Sequence, residues 1–441
     1  MKKVYLETFG CQMNVSDSER IATRLTADGY QMTPDETAAD IVLLNTCSVR
    51  EKAEHKIFTR VGQIRQELPK KPVLGILGCV AQLEGETLFS RQKGIDFVLG
   101  TKAVGRISDI IAQVSEGETE IFDLDEREEV YDWSVADAQR YSKYIAFVPI
   151  IEGCNKFCTY CIVPFARGRE KSLPASEIVR HVLELRRQNI KEIHLIGQNV
   201  NSYRPKTESG LENYRGATPF SRLLRAVAAT GIERLKFTTS FPRDFHPDIV
   251  KALDEHENLC NWVHLPVQSG SNVILKAMRR GHTVENYLER IDAIKSSTRR
   301  IALTTDLIVG FPGETEADFQ ATLKLVEYCK YNSVYAFKYS PRPGTPAFDV
   351  PDTVSAAEKT ARFLELDKLI RFHQRGVFDN YLNRTVEVLA EKISPKHPNQ
   401  ITGHSTCQMV VNFEGGAETL GKIVKVKILE SKRNTLYGKI C

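Results

Sequence analysis

Three closely spaced cysteines are the residues of this chain best suited to do chemistry. Cys154, Cys158 and Cys161 form a C-x-x-x-C-x-x-C pattern within the segment GCNKFCTYCIVPFARGRE. Thiolates at this spacing on one loop can bind a single iron–sulfur cluster, and three ligands leave one iron of a four-iron cluster open. A zinc site is the alternative, but such a site normally needs a fourth Cys or His close by. The pattern therefore predicts a cluster with an open iron.

Three further cysteines are far apart in sequence but occupy equivalent positions. Cys11, Cys47 and Cys79 each follow a predicted parallel strand, in VYLETFGC, IVLLNTC and LGILGC. Ligands of a doubly wound sheet gather beyond the carboxyl ends of its strands, so three such loops can converge. The alternative is that each cysteine is a small buried apolar residue. We interpret them as ligands of a second cluster with its own open iron.

The other four cysteines show no such grouping and are interpreted as structural or incidental. Cys260 precedes a predicted strand, Cys329 lies on a predicted helix, Cys407 is predicted in a strand, and Cys441 is terminal.

Length, composition and charge limit the class of protein. At roughly 100 to 200 residues per domain, the 441 residues predict two to four domains, and 42% apolar with 26% charged residues is ordinary globular usage. No stretch approaches about 18 apolar residues, and the first residues do not resemble a signal peptide. We expect a soluble, cytoplasmic protein with no membrane association. The net charge of +4 is too small to indicate nucleic-acid binding by itself.

Alternating patterns along the chain predict an α/β protein with three parts. Over the first 110 or so residues, short apolar runs alternate with helical stretches, which predicts a doubly wound parallel sheet. An acidic stretch at 115–137 is predicted to be a linker or an excursion at the edge of the sheet. A second alternation predicts a full or partial TIM-like barrel, with strands at 145–151, 192–196, 234–238, 262–267, 301–309 and 334–339.

The remaining chain is predicted to contain one long helix and a small barrel. A helical pattern without proline runs over 354–382. From Thr385 onwards, short alternating segments separated by Gly, Pro and Asn predict a small antiparallel β-barrel.

The chain resembles the methylthiotransferase family of radical S-adenosylmethionine (SAM) enzymes over nearly its whole length. The resemblance rests on seven motifs in this order: TFGCQMN, NTCSVREKAE, GCVAQ, CNKFCTYCIVPFARG, HLPVQSGSNVILKAMRRGHT, DLIVGFPGETEADF and YSPRPGTPA. The small barrel resembles the OB-like TRAM domain of that family. One departure is the segment 169–173, REKSL, where relatives often carry a Ser-Arg pair.

The resemblance also implies a substrate and a division into domains. Gln12 and Met13, together with CSVREKAE after Cys47, resemble the branch that modifies adenosine 37 of tRNA bearing an N(6)-dimethylallyl (isopentenyl) group. The implied domains are an N-terminal methylthiotransferase domain at 1–138, a radical SAM core at 139–378 and an RNA-binding TRAM domain at 379–441.

Two [4Fe-4S] clusters with different roles are implied. Cys154, Cys158 and Cys161 would bind the cluster that reductively cleaves SAM, and Cys11, Cys47 and Cys79 would hold an auxiliary cluster that carries the sulfur. One SAM would methylate that sulfur, and a second would generate the radical that removes hydrogen from carbon 2 of adenine. Polar residues near the strand ends would bind SAM, with a structural role as the alternative for each: Tyr160, Gln198, Asn199, Ser240, Gln268 and Asp306.

The expected partners are the anticodon stem-loop of tRNA, an electron donor such as flavodoxin or ferredoxin, and a sulfur or cluster carrier. Residues 385–441 hold eight basic and five acidic side chains, so positive charge is concentrated there. Lys425 and Lys427 share a strand face, and Lys432 and Arg433 follow in a turn, which predicts a patch for RNA phosphates or, alternatively, a solvated face. Four other arginines are candidates for RNA contact or for ordinary surface: Arg279, Arg280, Arg299 and Arg300.

Two alternative functions stay open from the sequence. One is the same reaction on threonylcarbamoyl-adenosine of tRNA or on a ribosomal-protein aspartate. The other is an iron–sulfur RNA-binding or scaffold protein without turnover, which the predicted open irons disfavour.

Overall fold

A computed structural model describes residues 1–48, 51–125, 131–395 and 397–441, without the side chains of 51–55. Two residues of the NTCSVREKAE motif, Val49 and Arg50, and part of the predicted acidic linker therefore lie outside the described residues. The chain divides into two units. Unit 1 comprises residues 1–141, 152–155 and 161–171, and unit 2 comprises residues 142–151, 156–160 and 172–441.

Unit 1 is built on a six-stranded parallel sheet in the order β2-β1-β3-β4-β5-β6. Its strands are β1 Lys3–Phe9, β2 Gln31–Met32, β3 Ile41–Thr46, β4 Val73–Gly78, β5 Phe97–Leu99 and β6 Ile121–Asp123. Its helices are α1 Gln12–Ala27, α2 Glu51–Glu67, α3 Cys79–Glu84, α4 Thr87–Arg91, α5 Ile107–Ser115 and α6 Val163–Arg167.

Helices cover both faces of this sheet. Ile57 and Ile64 of α2 and Leu88 of α4 belong to the hydrophobic cluster on one face, whereas Ile21 of α1 and Ile107 of α5 belong to the cluster on the other. The predicted doubly wound fold is therefore confirmed. The sequence pattern missed β2 and β6 as strands because two and three residues are too few to show a period. β6 lies at the edge of the sheet, which agrees with the second alternative for residues 115–137.

Unit 2 contains a partial barrel of parallel strands with helices between them. The strands are β7 Ile145–Glu152, β8 Lys171–Ser172, β9 Glu192–Gly197, β10 Arg234–Phe237, β11 Trp262–His264, β12 Ala302–Val309 and β13 Ser333–Lys338. They form the sheets β10-β9-β7-β8 and β11-β12-β13, and a bridge between Leu235 and Leu259 lies where the two sheets meet. All six strands expected from the sequence are present, and the TIM-like prediction is confirmed in its partial form.

The helices after α6 separate the barrel strands, and the last of them leads to the C-terminal barrel. They are α7 Ala175–Arg187, α8 Pro219–Ala228, α9 Asp248–Glu255, α10 Asn272–Ala277, α11 Val284–Lys295, α12 Glu316–Cys329 and α13 Ala356–Asp379. No helix in the described part of the chain is both long and apolar enough to span a membrane.

The C-terminal region forms a closed five-stranded barrel in the order β14-β15-β16-β18-β17. Its strands are β14 Thr385–Ile393, β15 Gln400–Ser405, β16 Val410–Glu414, β17 Ile423–Ser431 and β18 Leu436–Ile440. The prediction of a purely antiparallel barrel was wrong, because β16 and β18 pair in parallel. Cys407 lies in the turn between β15 and β16 rather than in a strand, since the positive φ of Gln408 interrupts the extended backbone.

A buried polar junction joins this barrel to the amino ends of β9 and β10. The guanidinium of Arg234 donates to the carbonyl oxygens of residues 404 and 405 at 2.9 and 2.7 Å. Lys236 Nζ donates to Gln408 Oε1 at 2.9 Å, and Gln408 Nε2 donates to Glu192 Oε1 at 3.2 Å. Glu192 also pairs with Arg234 at 2.8 Å. Because the three charged groups, Glu192, Arg234 and Lys236, are buried, each depends on its partners for its charge to be compensated.

Replacing Glu192 with glutamine should destabilise the protein in a pH-dependent way. Burial by itself would raise the pKa of Glu192, but Arg234 and His194 hold it well below its usual value. A depressed pKa contributes stability that is present above the ordinary value of about 4.3 and is lost as pH falls towards the folded-state pKa. At neutral pH, the free energy of unfolding of Glu192→Gln should be lower by about 3–5 kcal/mol, and the difference should narrow below about pH 4.

Denaturant unfolding at a series of pH values measures this difference. Glu233→Gln is the control, because Glu233 pairs with Lys191 at the surface and its loss should cost about 1 kcal/mol at most. A Glu192→Gln difference that does not change with pH would contradict the assignment of the charge.

Candidate functional site

The sheet of unit 1 places three cysteines at one edge. Cys11 follows β1 as the cap of α1, Cys47 follows β3, and Cys79 follows β4 as the first residue of α3. These strands are direct neighbours and run in parallel. The loops that carry the cysteines therefore leave the sheet side by side, as the sequence predicted.

Two glycines allow these loops to approach closely. A Cβ at Gly10 would lie 2.9 Å from the Cβ of Cys47 and 2.5 Å from Asn14 Oδ1. Gly78 has φ +87°, and a Cβ there would lie 2.4 Å from Asn45 Oδ1. Because the side chain of any other residue would push the loops apart, these glycines are needed for the cysteine loops to lie close together.

Asn14 fixes the first cysteine loop to the end of β3. Its buried Oδ1 accepts from the backbone N–H of Cys11 at 3.4 Å and from the Cys11 thiol at 3.3 Å. Its Nδ2 donates to the carbonyl oxygen of Thr46 at 3.1 Å. The sequence analysis missed this residue, although it lies inside the quoted TFGCQMN motif.

The surroundings of these cysteines favour a thiolate at Cys11. A hydrogen bond with Cys47 lowers the pKa of the Cys11 thiol to about 6, with burial opposing the shift and the Arg167 guanidinium adding to it. Burial raises the pKa of Cys79, and Arg167 opposes that shift too. Thiolates are the form that binds metals, so this charge environment suits a metal centre.

Among the described residues, no group of three Cys, His, Asp or Glu side chains is arranged to hold one metal ion. In a four-iron cluster each thiolate binds a different iron, so three cysteines leave one iron open. The three loops of unit 1 offer that number of cysteines at one edge of the sheet.

The closely spaced cysteines fall in both units, and each is described in its own. In unit 1, Cys154 is buried, and its backbone N–H donates to the carbonyl oxygen of Gly168 at 3.1 Å. Cys161 in the same unit is half-buried. In unit 2, Cys158 is buried, and Nη1 of Arg280 lies 3.4 Å from its Sγ and 3.4 Å from the hydroxyl of Tyr160.

Arg280 lies inside the protein and not on its surface. It is 5% exposed, its Nη2 donates to the carbonyl oxygen of Pro266 at 2.6 Å, and its guanidinium lies 4.4 Å from the ring centre of Phe241. Neither alternative from the sequence, RNA contact or ordinary surface, therefore holds for Arg280. Arg299 is likewise occupied, because it donates to backbone carbonyl oxygens of the barrel, whereas Arg279 and Arg300 are exposed.

The predicted SAM-binding residues of the strand ends lie along one edge of unit 2. Backbone hydrogen bonds connect the successive loops: Val200 to Thr239 at 3.0 Å, Ser240 to His264 at 3.1 Å, and Gln268 to Asp306 at 3.0 Å. Gln198 and Asn199 immediately follow β9, next to this series. The structure therefore brings together these five residues: Gln198, Asn199, Ser240, Gln268 and Asp306.

Several polar atoms at this edge lack an intramolecular partner. In the part of the chain that the structure describes, no hydrogen bond is made by Gln198 Oε1, Thr238 Oγ1 or Ser240 Oγ, although all three are buried. Thr239 and Gln268 have φ of +71° and +81°, which is strained for residues other than glycine. Unmatched polar atoms and strain at one place indicate a ligand site. Thr238 was not singled out from the sequence.

Asp306 differs from the other residues of this edge. Its Oδ1 lies 3.5 Å from Nε2 of His264, and the ring of His264 contacts Tyr335 at 5.9 Å between ring centres. Asp306 is therefore already paired within the barrel, so the structure supports its structural alternative as well as a ligand contact.

The predicted phosphate-binding residues lie on the surface of the C-terminal barrel. Lys425 and Lys427 alternate with buried residues along β17 and are exposed, as are Lys432 and Arg433 in the following turn. The strand partners of Lys427 are Thr385 on β14 and Lys439 on β18. Two lysines directly opposite each other repel, so this face suits an anionic partner.

Family models match three regions of the chain in order. They are "Uncharacterized protein family UPF0004" at residues 3–100, the radical SAM superfamily at residues 148–326 and the TRAM domain at residues 379–441.

Full-length relatives and solved structures agree with these matches. The chain is 40% identical to a tRNA-2-methylthio-N(6)-dimethylallyladenosine synthase of Koribacter versatilis, with 100% of this chain and 98% of the relative covered. It is 40% identical to the enzyme of that name from Magnetococcus marinus, with 100% of both covered. The radical SAM methyltransferase TsrM of Kitasatospora setae shares the fold at a TM-score of 0.57 and 14% identity, over 79% of this chain and 77% of that one.

The three family models, in this order along the chain, define a radical SAM enzyme with an additional N-terminal cysteine-bearing domain and a C-terminal TRAM domain. Within that class, the chain belongs to the tRNA-2-methylthio-N(6)-dimethylallyladenosine synthase family of methylthiotransferases. The resemblance found in the sequence is therefore confirmed.

Proposed function

We propose that this chain methylthiolates carbon 2 of N(6)-dimethylallyl-adenosine at position 37 of tRNA. The observation that carries the proposal is full-length similarity to enzymes named for this product, combined with the three convergent cysteine loops of unit 1. A scaffold without turnover would have no need of unsatisfied buried polar atoms at the strand ends.

We propose that Cys154, Cys158 and Cys161 hold one [4Fe-4S] cluster and that the set Cys11, Cys47 and Cys79 holds a second. When bound, these groups would supply the reductive cleavage of SAM, the sulfur atom and the abstraction of hydrogen. The protein needs them because acid–base side chains cannot break an unactivated aromatic C–H bond. The residues of the chain bind these groups, orient them and exclude water. The proposal includes a flavodoxin-like or ferredoxin-like electron donor, a sulfur or cluster carrier, and domain boundaries after residues 138 and 378.

Substitution of each cysteine set tests the reaction. Anaerobically reconstituted protein should contain about eight irons per chain, four for each cluster. Replacing Cys154, Cys158 and Cys161 with alanine should abolish formation of 5′-deoxyadenosine, whereas replacing Cys11, Cys47 and Cys79 should leave its formation and abolish the methylthiolated nucleoside. Iron analysis and mass spectrometry of digested tRNA measure both results.

The choice of tRNA distinguishes the proposed substrate from its alternatives. A base must leave the stack of the anticodon loop before an enzyme can react with it. Exposed rings of Tyr335 and Phe337 project from one face of β13 and offer apolar contact for such a base. Equal turnover of tRNA carrying unmodified adenosine, or turnover only of threonylcarbamoyl-adenosine, would contradict the proposed substrate.

We propose that the strand-end residues of unit 2 bind SAM. The support is the free hydrogen-bonding capacity of Gln198 and Ser240 and the position of both at the edge where such barrels bind their ligands. Asn199, Gln268 and Asp306 lie at the same edge, and Tyr160 lies beside Arg280. This set could contact the polar groups of SAM.

Removing the hydroxyl of Ser240 tests the SAM site. The Kd of Ser240→Ala for SAM, measured by calorimetry on the reconstituted enzyme, should rise about fivefold, since a lost hydrogen bond costs about 1 kcal/mol. The Tm should not change, because the hydroxyl makes no hydrogen bond with the residues that the structure describes. Ser202→Ala is the control: the Ser202 hydroxyl donates to Asp244 at 2.7 Å, so its loss should lower Tm and leave the Kd for SAM unchanged. Unaltered SAM binding by Ser240→Ala would remove Ser240 from the site.

We propose that Lys425, Lys427 and Arg433 dock tRNA through its phosphates. Changing all three to glutamate should weaken tRNA binding and lower the salt slope by roughly two, at about 0.7 for each lost contact. Filter binding over a range of salt concentrations measures both quantities. Formation of 5′-deoxyadenosine without tRNA should not change.

A control variant carries the same change of charge on the outer helices of unit 2, with Arg187, Lys251 and Lys324 replaced by glutamate. Point variants are preferable to deletion of the C-terminal barrel, because deletion would strip Arg234 and Lys236 of their buried partners. If the control variant loses as much affinity as the barrel variant, net charge rather than a docking patch explains the effect.

A further inference from the structure

Arg167 is a buried charge that the sequence analysis did not assign. It is the last residue of α6 and is 6% exposed. Its Nη2 lies 2.7 Å from Oδ2 of Asp17, which is also buried. A buried ion pair is costly to form unless further contacts satisfy it, so its position calls for a physical explanation.

Arg167 is also close to the auxiliary cysteines. Its helix α6 packs against α3, the helix that begins at Cys79, and its ion-pair partner Asp17 lies on α1, the helix that Cys11 caps. After the hydrogen bond with Cys47, the Arg167 guanidinium is a further cause of the lowered pKa of Cys11, and it opposes the rise that burial causes in the pKa of Cys79. A carboxylate and two cysteines are therefore neighbours of Arg167, all within unit 1.

The backbone holds α6 in this place. A hydrogen bond of 3.1 Å runs from the N–H of Cys154 to the carbonyl oxygen of Gly168, and Glu170 N–H donates to Asn155 Oδ1 at 3.1 Å. The hydroxyl of Thr101 donates to the carbonyl oxygen of Ala166 at 2.9 Å. Contacts on both sides of Arg167 thus hold its backbone in place within unit 1.

We propose that Arg167 is a positioning residue for the auxiliary cluster. Its guanidinium compensates the negative charge of the cysteine thiolates and thereby sets the reduction potential of the cluster. The carboxylate of Asp17 limits the effect of the guanidinium charge. The inference rests on the proposed function. Three thiolates bring more negative charge than the core of an oxidised cluster carries positive charge, so a nearby cation stabilises the assembly and favours its reduction. Burial strengthens this effect by lowering the local dielectric constant.

Variants of the two charges distinguish this role from simple packing. The background is the full chain with Cys154, Cys158 and Cys161 changed to alanine, so that only the auxiliary cluster is observed. Arg167→Gln removes the cation and should shift the reduction potential to more negative values. Asp17→Asn removes the anion and should shift it to more positive values. Arg167→Lys keeps the charge and should retain the iron content of the background protein.

Redox titration followed by electron paramagnetic resonance measures the potential, and iron analysis measures occupancy. Arg362→Gln is the control, because Arg362 forms a comparably buried pair with Glu314 in unit 2 and should not alter the auxiliary potential. Shifts of opposite sign for the Arg167 and Asp17 variants support the proposal. Shifts of the same sign, no shift in Asp17→Asn, or loss of iron from Arg167→Lys would overturn it.

The proposal can fail separately from the proposed function. If the background protein binds no iron, the assignment of Cys11, Cys47 and Cys79 as ligands fails and the charge inference with it. If it binds about four irons and the variants leave the potential unchanged, only the role of Arg167 is wrong.

Discussion

Parallel strands end at the same edge of a sheet, and both candidate sites depend on this constraint. In unit 1 it brings together cysteines that are more than 30 residues apart in the chain, through the register of β1, β3 and β4. In unit 2 it aligns the loops after β9, β10 and β11, which then bond to one another through their backbones. Residues that are far apart in sequence become neighbours because hydrogen bonding between the strands fixes the positions of the loops that carry them.

Both sites also carry costs that a ligand would relieve. Unpartnered hydroxyl and amide oxygens are destabilising when buried, and so are left-handed backbone conformations at Thr239 and Gln268. In unit 1 the cost is electrostatic, since the charged side chains of Arg167 and Asp17 are both buried. A fold that retains such groups must recover their cost elsewhere, and the extensive apolar clusters on both faces of the first sheet provide that stability.

The sequence predicted the parts of the structure that follow from period and spacing. Strands such as β3 and β12 are long enough for a hydrophobic pattern to show, and the cysteines that follow strands mark the edge at which they converge. It did not predict β2 or β6, which have too few residues for any period.

Burial of charged residues was the second limit of the sequence analysis. In the sequence, Arg280 looks like a surface residue because another arginine precedes it. Only the tertiary structure shows that its guanidinium contacts the ring of Phe241 and the carbonyl oxygen of Pro266. The same limit applies to the buried residues Asn14 and Arg167, whose partners Thr46 and Asp17 lie far from them in sequence. Resemblance to a family located the motifs that contain these residues, but it did not assign a contact to any of them.

The C-terminal barrel is attached to the core by an inserted side chain, and this has a consequence for how the domains can be exchanged in evolution or in engineering. Gln408 reaches from the β15–β16 turn to both Glu192 and Lys236 at the amino ends of core strands. A barrel transplanted from another protein would need a residue of similar length and polarity at the same point of the turn. Without it, the graft would leave charged groups of the recipient facing an unmatched surface. The C-terminal barrel and the core can therefore be exchanged between proteins only together with the residues that form this junction.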